Sequence, residues 1–240
     1  MIPQPIQEAP PRPATSPNFD RLAGIYRWLE WLTFGPYLSR CRSAFLERLS
    51  QRRRALILGD GDGRFTASLL HANPGIQIEA VDASPAMLSQ LIQRAGANAD
   101  RVKTCCVDAR AWKPSQADYD LVVTHFLLDC LPTDEIASLA AQVRDCVLPD
   151  AEWVVSEFAI PPGAFGKFAA RPLIRFLYRA FGWLTGLQIR SLPDYRFALG
   201  LAGFRLVDRR DFLCGLLVAE VWSPDRPESR QRQERRVCPR

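Results

Sequence analysis

The run Ala55-Leu56-Ile57-Leu58-Gly59-Asp60-Gly61-Asp62-Gly63-Arg64-Phe65 decides how the rest of the chain is read. Four apolar residues lead straight into glycines at every second position, and an amphipathic stretch follows. That order predicts a buried parallel strand, a tight turn and a helix N-terminus. Glycine carries no Cβ and tolerates positive φ, so a ligand can lie directly against the backbone of such a turn. Ile78-Glu79-Ala80-Val81-Asp82 is a second apolar run, closing on a carboxylate. Together the two segments predict a nucleotide-like ligand whose sugar hydroxyls are held by Asp82.

Two cofactor classes use this arrangement. The dinucleotide fingerprint is G-x-G-x-x-G, and counting from Gly59 its third glycine would fall on Arg64. The spacing present, G-x-G-x-G, resembles motif I of the class I S-adenosylmethionine-dependent methyltransferases. Later segments follow in that family's order. Arg101 to Arg110 (RVKTCCVDAR) resembles a third strand ending on an acid, and Tyr119 to Asp129 (YDLVVTHFLLD) the fourth strand with its exit loop. A helix over roughly Thr133 to Val147 and a fifth strand over roughly Glu152 to Phe158 complete the likeness, which covers about Arg54 to Phe158.

The resemblance implies an α/β fold: a Rossmann-like seven-stranded methyltransferase sheet, mostly parallel with an antiparallel last strand and helices on both faces. It implies S-adenosyl-L-methionine as cofactor, held by Gly59, Asp60, Gly61 and Gly63 at the turn, and by Asp82, Ala83 and Met87 after the second strand. Asp108 and Ala109 would border the adenine, and Thr124 and His125 would close the fourth strand against the ligand. One departure stands out: many members carry an acid two positions before the first motif glycine, and here that position is Ile57. Asp60 or Asp62 could replace the missing charge from within the turn.

Composition bounds the alternatives. A chain of 240 residues with 48% apolar content suits one globular α/β domain. The formal charge is +5, but Ser223 to Arg240 holds six Arg against three acids, +3 of that total. The body is near neutral apart from Arg52-Arg53-Arg54, which reads as a solvated helix end, so nucleic acid is disfavoured as a partner. Seven cysteines form no C-x-x-C pair, and reduced buried thiols in a cytoplasmic protein are expected. With two histidines and no ligand-spaced Cys/His set, no metal site is expected. The N-terminus shows no signal-peptide pattern, and no apolar run reaches the ~20 residues of a membrane span.

The chain divides into a proline-rich tail over 1–17, expected to be disordered, a single domain over 18–222, and a basic tail over 223–240. Within the domain, 18–50 reads as two helices interrupted at Gly35-Pro36, which would fold over the cofactor mouth. The opening Asn18 to Tyr26 resembles the ubiquinone- and menaquinone-biosynthesis methyltransferase group, where a Tyr borders the active site. Tyr26 and Trp28 are the candidates there. A cap insertion is expected over 163–190, and its stretch Phe165 to Leu187 is aromatic and basic, with Arg171, Arg175 and Arg179 at successive spacings of four. It suits a substrate cap, a homodimer face, or a peripheral membrane contact. A helix from Pro193 to Ala202 and an antiparallel hairpin, 204–212 with 216–222, end the domain.

The expected activity is methyl transfer to a small, apolar or aromatic acceptor. Positioning would supply much of the acceleration, with a general base needed only if the acceptor must lose a proton. His125 stands just past the fourth strand, on the carboxyl edge where open α/β sheets bind ligands, and is the candidate base. Asp129 could orient His125, meet the substrate or cap the next helix, and Tyr195 could line the acceptor pocket. Two other readings stay open: the same fold with decarboxylation or aminopropyl transfer, and an inactive methyltransferase-like protein that binds a partner or membrane surface through 165–187.

Overall fold

The computed structural model describes residues 34–176 and 192–225. The 1–17 tail, Tyr26, Trp28, residues 177–191 of the cap and the basic tail past Asp225 lie outside the described residues. Seven strands form one sheet: β1 (Arg54–Leu58), β2 (Gln77–Asp82), β3 (Val102–Cys106), β4 (Tyr119–His125), β5 (Val147–Phe158), β6 (Phe204–Phe212) and β7 (Leu217–Pro224). Their spatial order is β3-β2-β1-β4-β5-β7-β6, parallel from β3 to β5, with β7 inserted antiparallel between β5 and β6.

Strand β1 shows why the centre of the sheet reads as an unbroken apolar run. Its side chains alternate between two cores, both covered by helices. Ala55 and Ile57 join one layer, with Leu69 and Leu70 of helix α2 (Arg64–Ala72), Leu38 and Cys41 of α1 (Tyr37–Arg42) and Leu91 of α3 (Pro85–Ala95). Leu56 and Leu58 join the other, with Ile136, Leu139 and Val143 of α4 (Thr133–Cys146) and Ala198 and Leu199 of α6 (Tyr195–Leu201). Between β5 and α6 runs a helical segment, α5, over residues 163–176, with a π-helical stretch at Gly166–Ala170.

Several boundaries differ from expectation. The Tyr37 to Leu49 helix stops at Arg42 and resumes as a short 3₁₀ turn, Leu46–Leu49. Strand β5 begins at Val147, directly after α4, although Leu148 to Asp150 are exposed; β4 and β5 are irregularly paired there, between Tyr119 and Leu121. Strand β3 is the sheet edge, so Cys105 and Cys106 are half-buried rather than in the core. Ser223 and Pro224 belong to β7 rather than to a tail. The Arg52-Arg53-Arg54 cluster is only partly solvated: Arg53 is exposed, while its neighbours are held by acids. Arg52 pairs with buried Glu152 at 2.9 Å, Arg54 pairs with Asp118 at 3.1 Å, and the amides of Arg53 and Arg54 donate to Asp120 at 2.7 and 2.9 Å.

Candidate cofactor turn and acceptor cavity

Residues Gly59 to Gly63 join β1 to α2, and all three glycines have positive φ: +69°, +62° and +78°. Each serves a different purpose. A Cβ on Gly59 would stand 2.9 Å from Leu127 Cδ1, so the loop after β4 packs on the turn. A Cβ on Gly63 would stand 2.6 Å from Leu91 Cα, so this glycine lets the start of α2 approach the backbone of α3. A Cβ on Gly61 would meet only Met87 Sδ, at 3.9 Å. Gly61 is therefore the position where the backbone is bare toward open space, as a cofactor lying along the turn requires.

The turn's carboxylates are spent on the protein itself. Asp60 Oδ2 accepts from the amide and hydroxyl of Thr66, at 2.8 and 2.6 Å, and so ties the turn to the first turn of α2. Burial pushes the Asp60 carboxyl up, and the Thr66 bonds offset part of that. Asp62 binds Arg64 and Arg94, each at 2.9 Å. Both acids are thus bonded within the protein, Asp60 to Thr66 and Asp62 to Arg64 and Arg94.

Asp82, the last residue of β2, accepts from the Ser84 amide at 2.8 Å, and Ser84 in turn accepts from the Met87 amide to cap α3. Met87 follows at the start of α3, its Sδ 3.9 Å from where a Cβ on Gly61 would stand. Asp108 lies two residues beyond β3 and grips Arg110, with Nε on Oδ1 at 2.9 Å and Nη2 on Oδ2 at 2.6 Å. Burial raises its pKa, but the Arg110 bonds outweigh that and hold the carboxyl below its ordinary range. Ala109 follows in the same turn. An adenine amine reaching Asp108 would have to share it with a guanidinium.

Strand β4 divides its last two residues between the cores. Thr124 accepts from Trp153 Nε1 at 3.0 Å on the α4 side. His125 points to the α2 side, 4% exposed, its ring 4.5 Å from that of Phe65. Its Nδ1 lies 2.9 Å from Ser156 Oγ, whose hydroxyl is 3.4 Å from the Cys41 carbonyl. A serine that donates to Cys41 must accept from Nδ1–H, which leaves Nε2 as a lone pair; Nε2 is buried without a partner. Burial, with a smaller contribution from the Arg42 charge, holds the imidazole well below its ordinary pKa. His125 is thus a neutral side chain packed in the core, away from the cavity described below.

The acid pair nearby was not legible in the sequence. Glu157, the penultimate residue of β5, is fully buried, and its Oε1 accepts from the Leu128 amide at 2.8 Å. Asp129 is 5% exposed, and the Pro132 residue occupies the N-cap of α4, so Asp129 does not cap that helix. Burial and the neighbouring Asp129 charge push the Glu157 carboxyl well above its usual range, opposed by the amides of Leu128, Asp129 and Leu127. The loop they hold opens at Phe126, a non-glycine residue at φ 56°. An acid just inside a strand end, among apolar residues, is the only signal that could have marked Glu157.

Beyond the ends of β5 and β6 lies a cavity of about 640 Å³. Phe158, Ile160, Pro161 and Leu192 supply apolar wall, and Tyr195, Arg196, Arg209 and the acids Asp194 and Asp211 line it too. The Tyr195 hydroxyl donates to buried Glu220 at 3.1 Å. Arg196 pairs with the same Glu220, and Arg209 reaches it at 3.4 Å and Asp211 at 2.7 Å. Phe158 links the cavity to the turn, because its ring lies 5.2 Å from that of Phe126, which opens the loop packed on Gly59. Met87 thus lies against the glycine turn and Tyr195 lines the cavity, while Thr124 and His125 are buried on opposite faces of the sheet.

Residues 55–150 match the methyltransferase domain model. Over 170 residues the chain is 30% identical to trans-aconitate 2-methyltransferase of Rhodococcus jostii (strain RHA1), covering 70% of this chain and 59% of that protein. It is 31% identical over 184 residues to the Mycobacterium ulcerans (strain Agy99) protein of the same name, covering 73% and 66%. The chain therefore spans less than two thirds of the length of these curated relatives. Its fold is similar to that of the mitomycin 7-O-methyltransferase MmcR, at a TM-score of 0.64, 17% identity, and coverage of 86% of this chain and 60% of that one. The chain belongs to the class I S-adenosylmethionine-dependent methyltransferases.

Proposed function

We propose that the protein transfers a methyl group from S-adenosyl-L-methionine to a small acceptor carrying a carboxylate on an otherwise apolar body. The observation that carries this reading is the cavity beyond the ends of β5 and β6, where Arg196 and Arg209, each paired with an acid of the protein, stand with Asp194 and Asp211 among Phe158, Ile160 and Leu192. The relatives are named for methylating trans-aconitate, which supports the same acceptor chemistry. It shifts the acceptor away from the purely apolar or aromatic molecule that the aromatic content of the sequence suggests.

When bound, the cofactor supplies an activated methyl electrophile. Gly61 would give it bare backbone, Asp82 would accept from its sugar hydroxyls, and Met87 would pack beside it. The apolar wall excludes water and the arginines orient the acceptor, so positioning carries the rate. A carboxylate acceptor has no proton to lose, and this suits a site whose candidate base, His125, is buried and neutral. In this reading His125 and Asp129 hold the β4 exit loop, and Tyr195 forms cavity wall.

Calorimetric titration with S-adenosylmethionine, S-adenosylhomocysteine and NAD tests the first half. Micromolar binding of the first two, and not of NAD, is expected. Methyl transfer to trans-aconitate, to simple dicarboxylates and to neutral phenols tests the second. Arg196→Gln should raise KM for the carboxylates with little change in kcat. Transfer to neutral phenols alone would overturn the acceptor class, and cofactor binding without transfer to any acceptor would mean an inactive relative.

A further inference from the structure

Helical segment α5 rests on the protein by a narrow seam. Between 163 and 176 only Gly166, Ala170 and Ile174 are buried, at spacings of four. A Cβ on Gly166 would stand 1.7 Å from the Pro161 carbonyl oxygen, so the helix backbone lies directly on the chain beneath it. Every other residue of the segment is exposed, including Phe165 at 45%, Phe168 at 73% and Phe176 at 68%. Phe168 is two residues from both Gly166 and Ala170, and Phe176 two from Ile174. Two residues are about 200° of helix, so these rings point away from the body.

The charge on the same segment is one-sided. From Phe158 to Pro193 there is no Asp or Glu, against Lys167, Arg171, Arg175, Arg179 and Arg190. Lys167, Arg171 and Arg175 follow one another at spacings of four, beside the aromatic row. No carboxylate pairs with any of these three among the described residues; Lys167 lies over the Phe168 ring at 5.4 Å.

We propose that α5 docks the protein on an anionic phospholipid surface, with Phe165, Phe168 and Phe176 in the headgroup boundary and Lys167, Arg171 and Arg175 on lipid phosphates. Three exposed phenylalanines along one helix mark a surface built to be covered. A substrate cap would turn them inward, whereas the inward side of α5 is Gly166, Ala170 and Ile174. A second copy joined by a two-fold axis would bring two acid-free basic rows together, which repel. A bilayer of acidic lipid satisfies both rows at once, and the aromatic, basic composition is that of an interfacial helix.

The test is co-sedimentation of the full chain with vesicles of phosphatidylcholine, alone or with about one third phosphatidylglycerol, at low and high salt. Binding only to the acidic vesicles, weakened by salt, is expected. Lys167→Gln/Arg171→Gln/Arg175→Gln should lower partitioning by on the order of 100-fold, about fivefold per charge. Phe168→Ser and Phe176→Ser should each lower it roughly tenfold. Binding to acidic vesicles that is unchanged in the Phe variants would place the contact elsewhere, the Arg-rich tail included, and overturn the proposal. So would failure to bind vesicles, or a dimer in light scattering that Phe168→Ser dissociates. The inference is independent of methyl transfer, and calorimetry with S-adenosylmethionine on the same variants should be unchanged.

Discussion

Replacing Gly61 and Gly63 separately by Ala distinguishes a ligand-facing glycine from a packing one. Both have positive φ, which costs an L-residue ~1–2 kcal/mol. The reduced entropy of the unfolded chain returns ~0.4–1 kcal/mol of that. At Gly61 little else changes, since the new methyl meets only Met87 Sδ at 3.9 Å, so Gly61→Ala should cost about 1 kcal/mol of stability. At Gly63 the methyl would stand 2.6 Å from Leu91 Cα, and backbone has to move. Overpacking of this kind adds ~1–3 kcal/mol, bringing Gly63→Ala to about 2–4 kcal/mol, a large part of an ordinary domain's stability. Urea unfolding reads this difference, and titration with S-adenosylhomocysteine reads the ligand. Gly61→Ala should stay folded while its Kd rises roughly 10- to 100-fold, the same ~1–3 kcal/mol of crowding now exerted on the cofactor. If Gly61→Ala binds as tightly as the parent, or is destabilised as much as Gly63→Ala, the assignment of the two glycines is wrong.

Asp82→Ala should weaken cofactor binding by roughly 1–3 kcal/mol through lost charge-assisted bonds, and unchanged calorimetric affinity would move the cofactor elsewhere. Glu157, with its folded-state pKa raised, contributes stability in full below the ordinary value of 4.5 and loses it as pH rises toward the folded value. Glu157→Gln, neutral at every pH, should therefore unfold later than the parent at about pH 8 and show a flatter stability profile from about pH 5 upward. An unchanged or steeper profile would mean that Glu157 is ionised. His125, with its pKa depressed, should cost stability as pH falls below 6.5, a dependence that His125→Asn removes. The same variant should keep turnover within about tenfold, whereas a 10²–10⁴-fold loss in a folded variant would make His125 a general base after all.

The parts legible in the sequence are those where backbone rules act on neighbouring residues. The glycine spacing from Gly59 to Gly63 and the apolar run of β1 each marked an element without reference to the rest of the chain. What escaped were relations between distant residues. Ile57 suggested a charge to be replaced from Asp60 or Asp62, and only the fold shows Asp60 tied to Thr66 and Asp62 to Arg94. His125 sits where a base would be expected in the chain order, but side-chain alternation along β4 turns it into the layer with Ser156, 31 residues further on. The edge position of β3 depends on strand order, which no local pattern encodes.

The contact between Gly59 and Leu127, followed by the grip of Glu157 on the Leu128 amide, has a consequence for any attempt to redirect the protein to another acceptor. The turn after β1 and the loop after β4 pack directly on one another, so neither side chain nor backbone can change on one side without the other responding. Grafting a foreign loop after β4 would shift the turn after β1 by whatever volume replaced Leu127. New specificity is better sought across the cavity, at Leu192, Arg196 and Arg209, where a changed side chain meets no part of the glycine turn.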